Sequence, residues 1–194
     1  MKSFCQACEN NKDPILRVLR PLLADRRALI EIGSGTGQHA AYLAGALPHL
    51  VWQPSDVAAN HASIESWIEG VDNARPPLVL DVDSGDWPEE RFDCAFSANT
   101  AHIMHWPTVI NMFEGLSSVL EPDGVFALYG PFNYDGAYTS DGNARFDRTL
   151  RSSDSGMGLR DFEDVVELAR SVGFSLIADH AMPANNRTLV WRKS

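Results

Sequence analysis

Ala28-Leu29-Ile30-Glu31-Ile32-Gly33-Ser34-Gly35-Thr36-Gly37 is a short apolar run that ends in alternating glycines. The run is too brief for a helix and has the apolar, β-branched character of a buried strand. The glycines let the chain turn sharply and bring backbone close to a ligand. A helix through Ala40, Ala41, Leu43, Ala44 and Leu47 follows. Strand, glycine turn and helix in that order open a parallel α/β sheet, or mark nothing more than a tight turn.

Working outward, the alternation continues. A second strand over Leu50 to Gln53 ends at Pro54-Ser55-Asp56, and a helix carries Ile64, Trp67 and Ile68. A third strand, Leu78 to Leu80, ends at Asp81; a fourth, Phe92 to Ala98, ends at Asn99. Val109, Met112, Phe113, Leu116, Val119 and Leu120 share one face of a helix over 107–120. It stops at Glu121-Pro122-Asp123-Gly124, a turn by composition, before a fifth strand from Val125 to Tyr129. A helix over 160–172 precedes two strands, Phe174 to Ala178 and Thr188 to Trp191; their short connection requires antiparallel pairing. Upstream, Asp13 and Pro14 read as N-cap and first residue of a helix, with Pro21 kinking or restarting it.

The predicted class is α/β, a Rossmann-like seven-stranded sheet with an antiparallel last strand and helices on both faces. A chain of 194 residues suits one domain, 1–194, with an N-terminal cap segment over 1–26. The polar stretch 133–158 is too long for a plain connection and is predicted to fold over a site.

Ligands of open parallel sheets bind beyond the carboxyl ends of the strands. That rule selects Gly33, Ser34, Gly35, Thr36, Gly37, Asp56, Asp81, Asn99 and Gly130-Pro131-Phe132. Asp56 follows the glycine loop by about 20 residues, the spacing at which a carboxylate accepts from ribose hydroxyls. It would equally cap the next helix.

In this order the motifs resemble class I S-adenosylmethionine-dependent methyltransferases, over roughly residues 27–192. Glu31-x-Gly33-x-Gly35-x-Gly37 matches their first motif, Asp56 their ribose-binding acid, and Asp81-Val82 their adenine-side acid and amide. Pro122-Asp123-Gly124 matches the turn before their fifth strand, and the terminal pair is similar to their sixth and seventh strands. More narrowly, Asn11-Lys12-Asp13-Pro14-Ile15-Leu16, Ser34-Gly35-Thr36-Gly37-Gln38-His39, Trp52-Gln53-Pro54-Ser55-Asp56 and Met182-Pro183-Ala184-Asn185-Asn186 look like the methyltransferase-like twenty-six family. Asn99-x-x-His102-Ile103 fits as well, whereas Asn10 stands where that family has Arg and Gly33 where it commonly has Ala.

The resemblance implies S-adenosylmethionine as cofactor and S-adenosylhomocysteine as product. It places Glu31 near the methionine end, the loop amides along the cofactor, and Val82 and Asn99 beside it. The cofactor carries a sulfonium and an ammonium but no phosphate, so carboxylates at strand ends suit it; a phosphate would want a basic residue or a bare helix N-terminus. A nicotinamide dinucleotide fits less well: its loop is normally Gly-x-Gly-x-x-Gly, and the chain leaves little length for a substrate domain.

The net charge of −10, with only 16 scattered Lys and Arg, argues against nucleic acid as a partner. No apolar run approaches the roughly 20 residues that cross a bilayer, and the N-terminus lacks a signal-peptide core, so a cytoplasmic protein is expected. Three cysteines fit that compartment. Cys5-x-x-Cys8 invites a metal or redox role, but no second ligand pair for zinc is evident, and reduced thiols on a mobile terminus are expected; no metal site is predicted.

Methyl transfer needs an aligned nucleophile more than an acid–base dyad. Asn99 and His102 are the catalytic candidates: Asn99 through its amide, His102 as base or acceptor-binding group with an unperturbed pKa near 6.5, or simply as a loop histidine. His105 and Trp106 are read as the start of a helix. Asn99-Thr100-Ala101-His102 lacks the prolines of amino-directed nucleobase methyltransferases. Tyr129, Phe132, Asn133, Tyr134 and Tyr138, with Asn185 and Asn186, are expected walls for a small, partly apolar acceptor. Asn10-Asn11-Lys12 reads as a lid or as a solvated helix approach. The competing class is a non-catalytic cofactor-binding protein with a protein partner.

Overall fold

A computed structural model describes residues 2–194. One seven-stranded sheet runs through the molecule: β1 (Ala28–Ile32), β2 (Val51–Asp56), β3 (Leu78–Val79), β4 (Phe92–Ala98), β5 (Leu120–Gly130), β8 (Phe174–Met182) and β9 (Asn186–Lys193). A separate parallel pair, β6 (Phe132–Asn133) and β7 (Arg160–Asp161), closes the base of the 133–158 stretch. In the large sheet the order is β3-β2-β1-β4-β5-β9-β8, and only β9 runs against its neighbours. Strand order reverses between β1 and β4, which opens a crevice at their carboxyl ends.

Alternation along each strand divides the core into two layers. Ile30, Phe126, Leu128 and Trp191 face α4 (Trp106–Val119) and α6 (Phe162–Ser171), whose Val109, Phe113, Val165 and Ala169 cover them. Leu29, Trp52, Phe96 and Val190 face the other way, under α1 (Gln6–Leu22), α2 (Gln38–Ala46) and α3 (His61–Ile68), through Ile15, Leu43 and Ile64. Residues buried on both faces of the central strands read as continuous apolar runs, and for that reason β1 and β4 have the predicted bounds.

The closing strands run longer than the sequence reading, to Met182 in β8 and from Asn186 to Lys193 in β9, and four further elements depart from it. Helix α1 begins at Gln6, capped by Cys5, not at Asp13; Pro14 and Pro21 both lie inside it. Tertiary anchors hold its first turns, as described below, and override the proline signal. Strand β2 extends to Asp56, through Pro54, because Val51 to Ser55 pair with β1 and Ser55 and Asp56 pair with β3. The turn at 121–124 exists, with Asp123 at φ 61°, yet it is a bulge within β5: Leu120 pairs with Phe92 and Val125 with Cys94. Finally, the polar stretch contains a helix, α5 (Asp141–Ser153), whose cap Ser140 accepts from the Asn143 N–H at 3.0 Å. Its buried residues are Asn143, Asp147 and Leu150, so no apolar stripe announces it. Asp147 is satisfied by Tyr138 Oη at 2.8 Å, Arg151 Nε at 2.8 Å and the Leu159 N–H at 2.7 Å.

No helix among the described residues is long and apolar enough to cross a membrane.

Candidate functional site

A cavity of about 710 Å³ lies over the carboxyl ends of β1, β2 and β4, within the size range of small-molecule sites. Its floor is the turn between β1 and α2: Gly33, Ser34, Gly35 and Thr36 all line it. Gly35 sits at φ +57°, and a Cβ there would meet no atom within 4 Å, so a side chain would project into open space. Gly37 serves the fold instead. At φ +90° it lets α2 start against α3, and a Cβ would come within 2.6 Å of the Ile64 backbone.

Asp56, at the end of β2, lies on the same wall and locks the turn. Its Oδ2 accepts from the Gly35 N–H at 2.7 Å, and its Oδ1 accepts from the Val57 N–H at 2.7 Å and from Asn60 Nδ2 at 2.8 Å. Asp56 is not a helix N-cap, since Val57 holds that place in the short turn that follows and Asn60 in the next helix; it braces the loop and presents a half-buried carboxylate to the cavity.

Glu31 is one layer further back. Only 2% exposed, it accepts from Trp52 Nε1 at 2.9 Å and from Ser34 Oγ at 3.0 Å, and Ser34 stands between it and the cavity. Burial pushes its carboxyl up to about 7, against the opposing pull of those hydrogen bonds. Asp81 and Val82 also lie off the cavity wall. Asp81 is exposed and accepts from the Asp83 N–H at 3.0 Å, while the Val82 side chain is buried in the core.

Asn99 follows β4 with φ 60°, held there by its N–H donating to the Tyr129 carbonyl at 2.9 Å. Three residues on, His102 is buried and packs its ring edge-on against Phe146 of α5, centroids 5.2 Å apart. Both residues line the cavity. Burial, then the nearby Arg160 guanidinium, pull the His102 imidazole down to about 4, so it is neutral at pH 7. Arg160 itself points away, donating to the Ala101 carbonyl at 3.0 Å, the Gly156 carbonyl at 2.9 Å and the Met104 carbonyl. His105 is the N-cap of α4 and contacts Asp154 at 2.9 Å.

The N-terminal helix closes one side. Cys5, Cys8, Asn10 and Asn11 line the cavity, whereas Lys12 turns out to pair with Glu9. The two thiols are half-buried in this wall, not on a free terminus; burial, then the Cys5 thiol beside it, push Cys8 up to about 12. Gln38 is the pin. Its Oε1 accepts from the Cys5 N–H at 2.5 Å and from Thr36 Oγ1 at 3.2 Å, and its Nε2 donates to Glu9 at 2.8 Å. Behind it, His39 Nε2 meets Asn11 Oδ1 at 2.7 Å, and burial holds that imidazole near 4.

Of the expected acceptor walls, Tyr129 and Asn186 line the cavity. Phe132, Asn133, Tyr134, Tyr138 and Asn185 do not. Phe132 is core, Tyr134 stacks on Phe162 and donates to Asp179 at 2.9 Å, and Tyr138 is spent on Asp147. Asn143 and Phe146 take their place from α5, together with His39 deeper in, and Gln38 acts from behind the wall. The polar face of α5 concealed the first two. Gln38 and His39 follow the glycine loop directly, and that position and the Ser34–His39 motif were their signals.

The sheet order, reversed β9 and strand-end cavity define a Rossmann-like methyltransferase fold. Three solved structures share it: TnmH (TM-score 0.84, 16% identity), human N-acetylserotonin methyltransferase in complex with SAM (0.82, 15%) and an O-methyltransferase family protein from Burkholderia thailandensis (0.78, 15%). They cover 97%, 97% and 94% of this chain, which in turn spans 56%, 53% and 58% of theirs. The chain belongs to the family described as protein of unknown function DUF938, whose model matches residues 2–193.

Proposed function

We propose that this chain is an S-adenosylmethionine-dependent methyltransferase acting on a small molecule, within the narrower methyltransferase-like twenty-six family that its motifs resemble. One observation carries the reading. Gly33–Thr36, Asp56 and Asn99, chosen by motif from three separate strand ends, line one cavity of sufficient size. The open space over Gly35 leaves room for a ligand against the loop backbone. No Lys or Arg lines the cavity among the described residues, which suits a cofactor without phosphates and disfavours a dinucleotide.

The cofactor would supply a methyl group on a sulfonium. The protein's part is to bind and orient: Asp56 accepts hydroxyl hydrogens, the Ser34–Thr36 backbone lines the cofactor, and Asn99 offers its amide. Glu31 acts from behind Ser34, fixing the loop. His102 faces the acceptor as a neutral ring. The α5 insertion and α1 exclude water from either side.

Calorimetry with S-adenosylmethionine tests the reading, with micromolar binding expected and no heat at millimolar cofactor overturning it. Release of S-adenosylhomocysteine on addition of small-molecule acceptors separates the enzyme from a non-catalytic cofactor binder, which would bind without turnover.

A further inference from the structure

The part of the cavity away from the glycine loop is walled by Ile103, Met104, Pro131, Phe146, Pro183 and Ala184, with His102, Asn143 and Asn186 as its polar groups. Its charge balance is unusual for so acidic a chain. Among the described lining residues Asp56 carries the single carboxylate, and it belongs to the glycine-loop side, bonded to Gly35, Val57 and Asn60. His39 and His102 are held neutral, and the nearest guanidinium, Arg160, spends its donors on three carbonyls. An ionised acceptor entering here would lose part of its hydration and gain no counter-charge from the protein's side chains.

The polar groups also have a fixed sense. Asn143 Nδ2 donates to Thr139 Oγ1 at 2.9 Å and to the Asn185 carbonyl at 3.3 Å; a carbonyl can only accept, so the amide cannot be flipped. Asn186 Nδ2 likewise donates to the Pro183 carbonyl at 3.1 Å. Each asparagine is left with Oδ1 and no protein donor among the described residues. Both N–H groups of Asn143 are spent, so it can only accept from a ligand; Asn186 also presents an unpaired Oδ1, with one N–H left beside it.

We propose that the methyl acceptor is an uncharged, largely apolar molecule whose reacting group is a hydroxyl or N–H, donated to the amide oxygens of Asn143 and Asn186. This rests on the methyltransferase reading above. The new bond forms from the acceptor's oxygen or nitrogen to the methyl carbon as the carbon–sulfur bond breaks and its electron pair stays on sulfur. The acceptor's proton then leaves. Neutral His102 is basic enough to take it from the strongly acidic protonated ether that an oxygen acceptor gives, and passes it to water; a nitrogen acceptor releases its proton directly to solvent. His102 is too weak a base to ionise a free hydroxyl beforehand.

Four naphthalenes test this on protein saturated with S-adenosylhomocysteine, by calorimetry: 2-naphthol, 2-methoxynaphthalene, 2-naphthoate and 2-naphthylmethylammonium. The naphthol is expected to bind about tenfold tighter than each of the others, the difference one satisfied hydrogen bond or one unpaired charge produces. Asn143→Leu should abolish its advantage over the methoxy compound. Asn186→Leu, at a less buried position, should reduce it and covers the case in which the first variant fails to fold. Equal or tighter binding of either ion or of the methoxy compound overturns the proposal, as does no binding of any probe to the loaded protein. Failure of S-adenosylhomocysteine itself to bind would instead remove the underlying methyltransferase reading, so the two failures are distinct.

Discussion

Trp52 donates its indole N–H to Glu31 across adjacent strands at 2.9 Å, and both side chains are buried. The pair stores a pH dependence. Burial lifts the Glu31 carboxyl from 4.5 to about 7 in the folded protein, so between those values the folded state keeps a proton that the unfolded chain has lost. This stabilisation is complete below pH 4.5 and is lost as pH rises through 7, an effect on the order of 3 kcal/mol. Glu31→Gln removes the titration. Melting curves from pH 5 to 8 are expected to fall for the wild type and to flatten for the variant. Parallel profiles would contradict the assignment.

Asp56 joins the loop to the turn after β2. Asp56→Ala should cost about 1–2 kcal/mol through the freed Gly35 and Val57 amides and should weaken S-adenosylmethionine binding by more than tenfold. Asp56→Asn, which keeps one acceptor oxygen, should recover most of the stability and little of the affinity. Denaturant melts and calorimetry separate the two effects.

Arg160 ties the loop carrying His102 to the end of the α5 insertion. Arg160→Met leaves three carbonyls short of a donor and is expected to cost about 2–3 kcal/mol. Burial is the larger cause of the depressed His102 imidazole, and this variant removes the smaller one, the nearby cation. The imidazole pKa, followed by NMR, should rise from about 4 but stay below its ordinary value; no movement would show that burial alone sets it.

Gln38 holds α1 shut over the cavity. Gln38→Ala releases the Cys5 N–H and Glu9. Losing roughly 1.4 kcal/mol of closure should raise the open population about tenfold. Cys5 and Cys8 would then be alkylated faster by the same factor, while the fully buried Cys94 stays inert. Mass spectrometry of labelled peptides gives the rates, and unchanged labelling would show that the pin is not what closes the lid.

Sequence patterning carried the sheet well where strands are buried on both faces. It gave β1 and β4, because short, continuous apolar runs bounded by turn residues leave few alternatives, and the closing pair, because its short connection requires antiparallel pairing. It failed where tertiary contacts decide. The first turns of α1 carry Asn10, Asn11 and Lys12 and precede a proline, and only the Gln38 pin and the His39–Asn11 contact make them part of the fold. Helix α5 hides behind a buried aspartate whose partners lie up to 12 residues away. The loop residues at strand ends were legible because glycine and carboxylate positions follow topology. Phe146 and Asn143 were not, since they reach the cavity from an insertion whose own fold the sequence pattern did not reveal.

Strand β9 is made after β8 yet lies between β8 and β5. While the chain is being synthesised, β5 keeps a bare edge and β8 has nothing to pair with, however complete the glycine loop and its helices already are. Until β9 emerges the nascent chain carries an open sheet edge, the feature most prone to pairing with other chains. Its yield in a cell should depend on how quickly β9 is delivered and threaded into the gap.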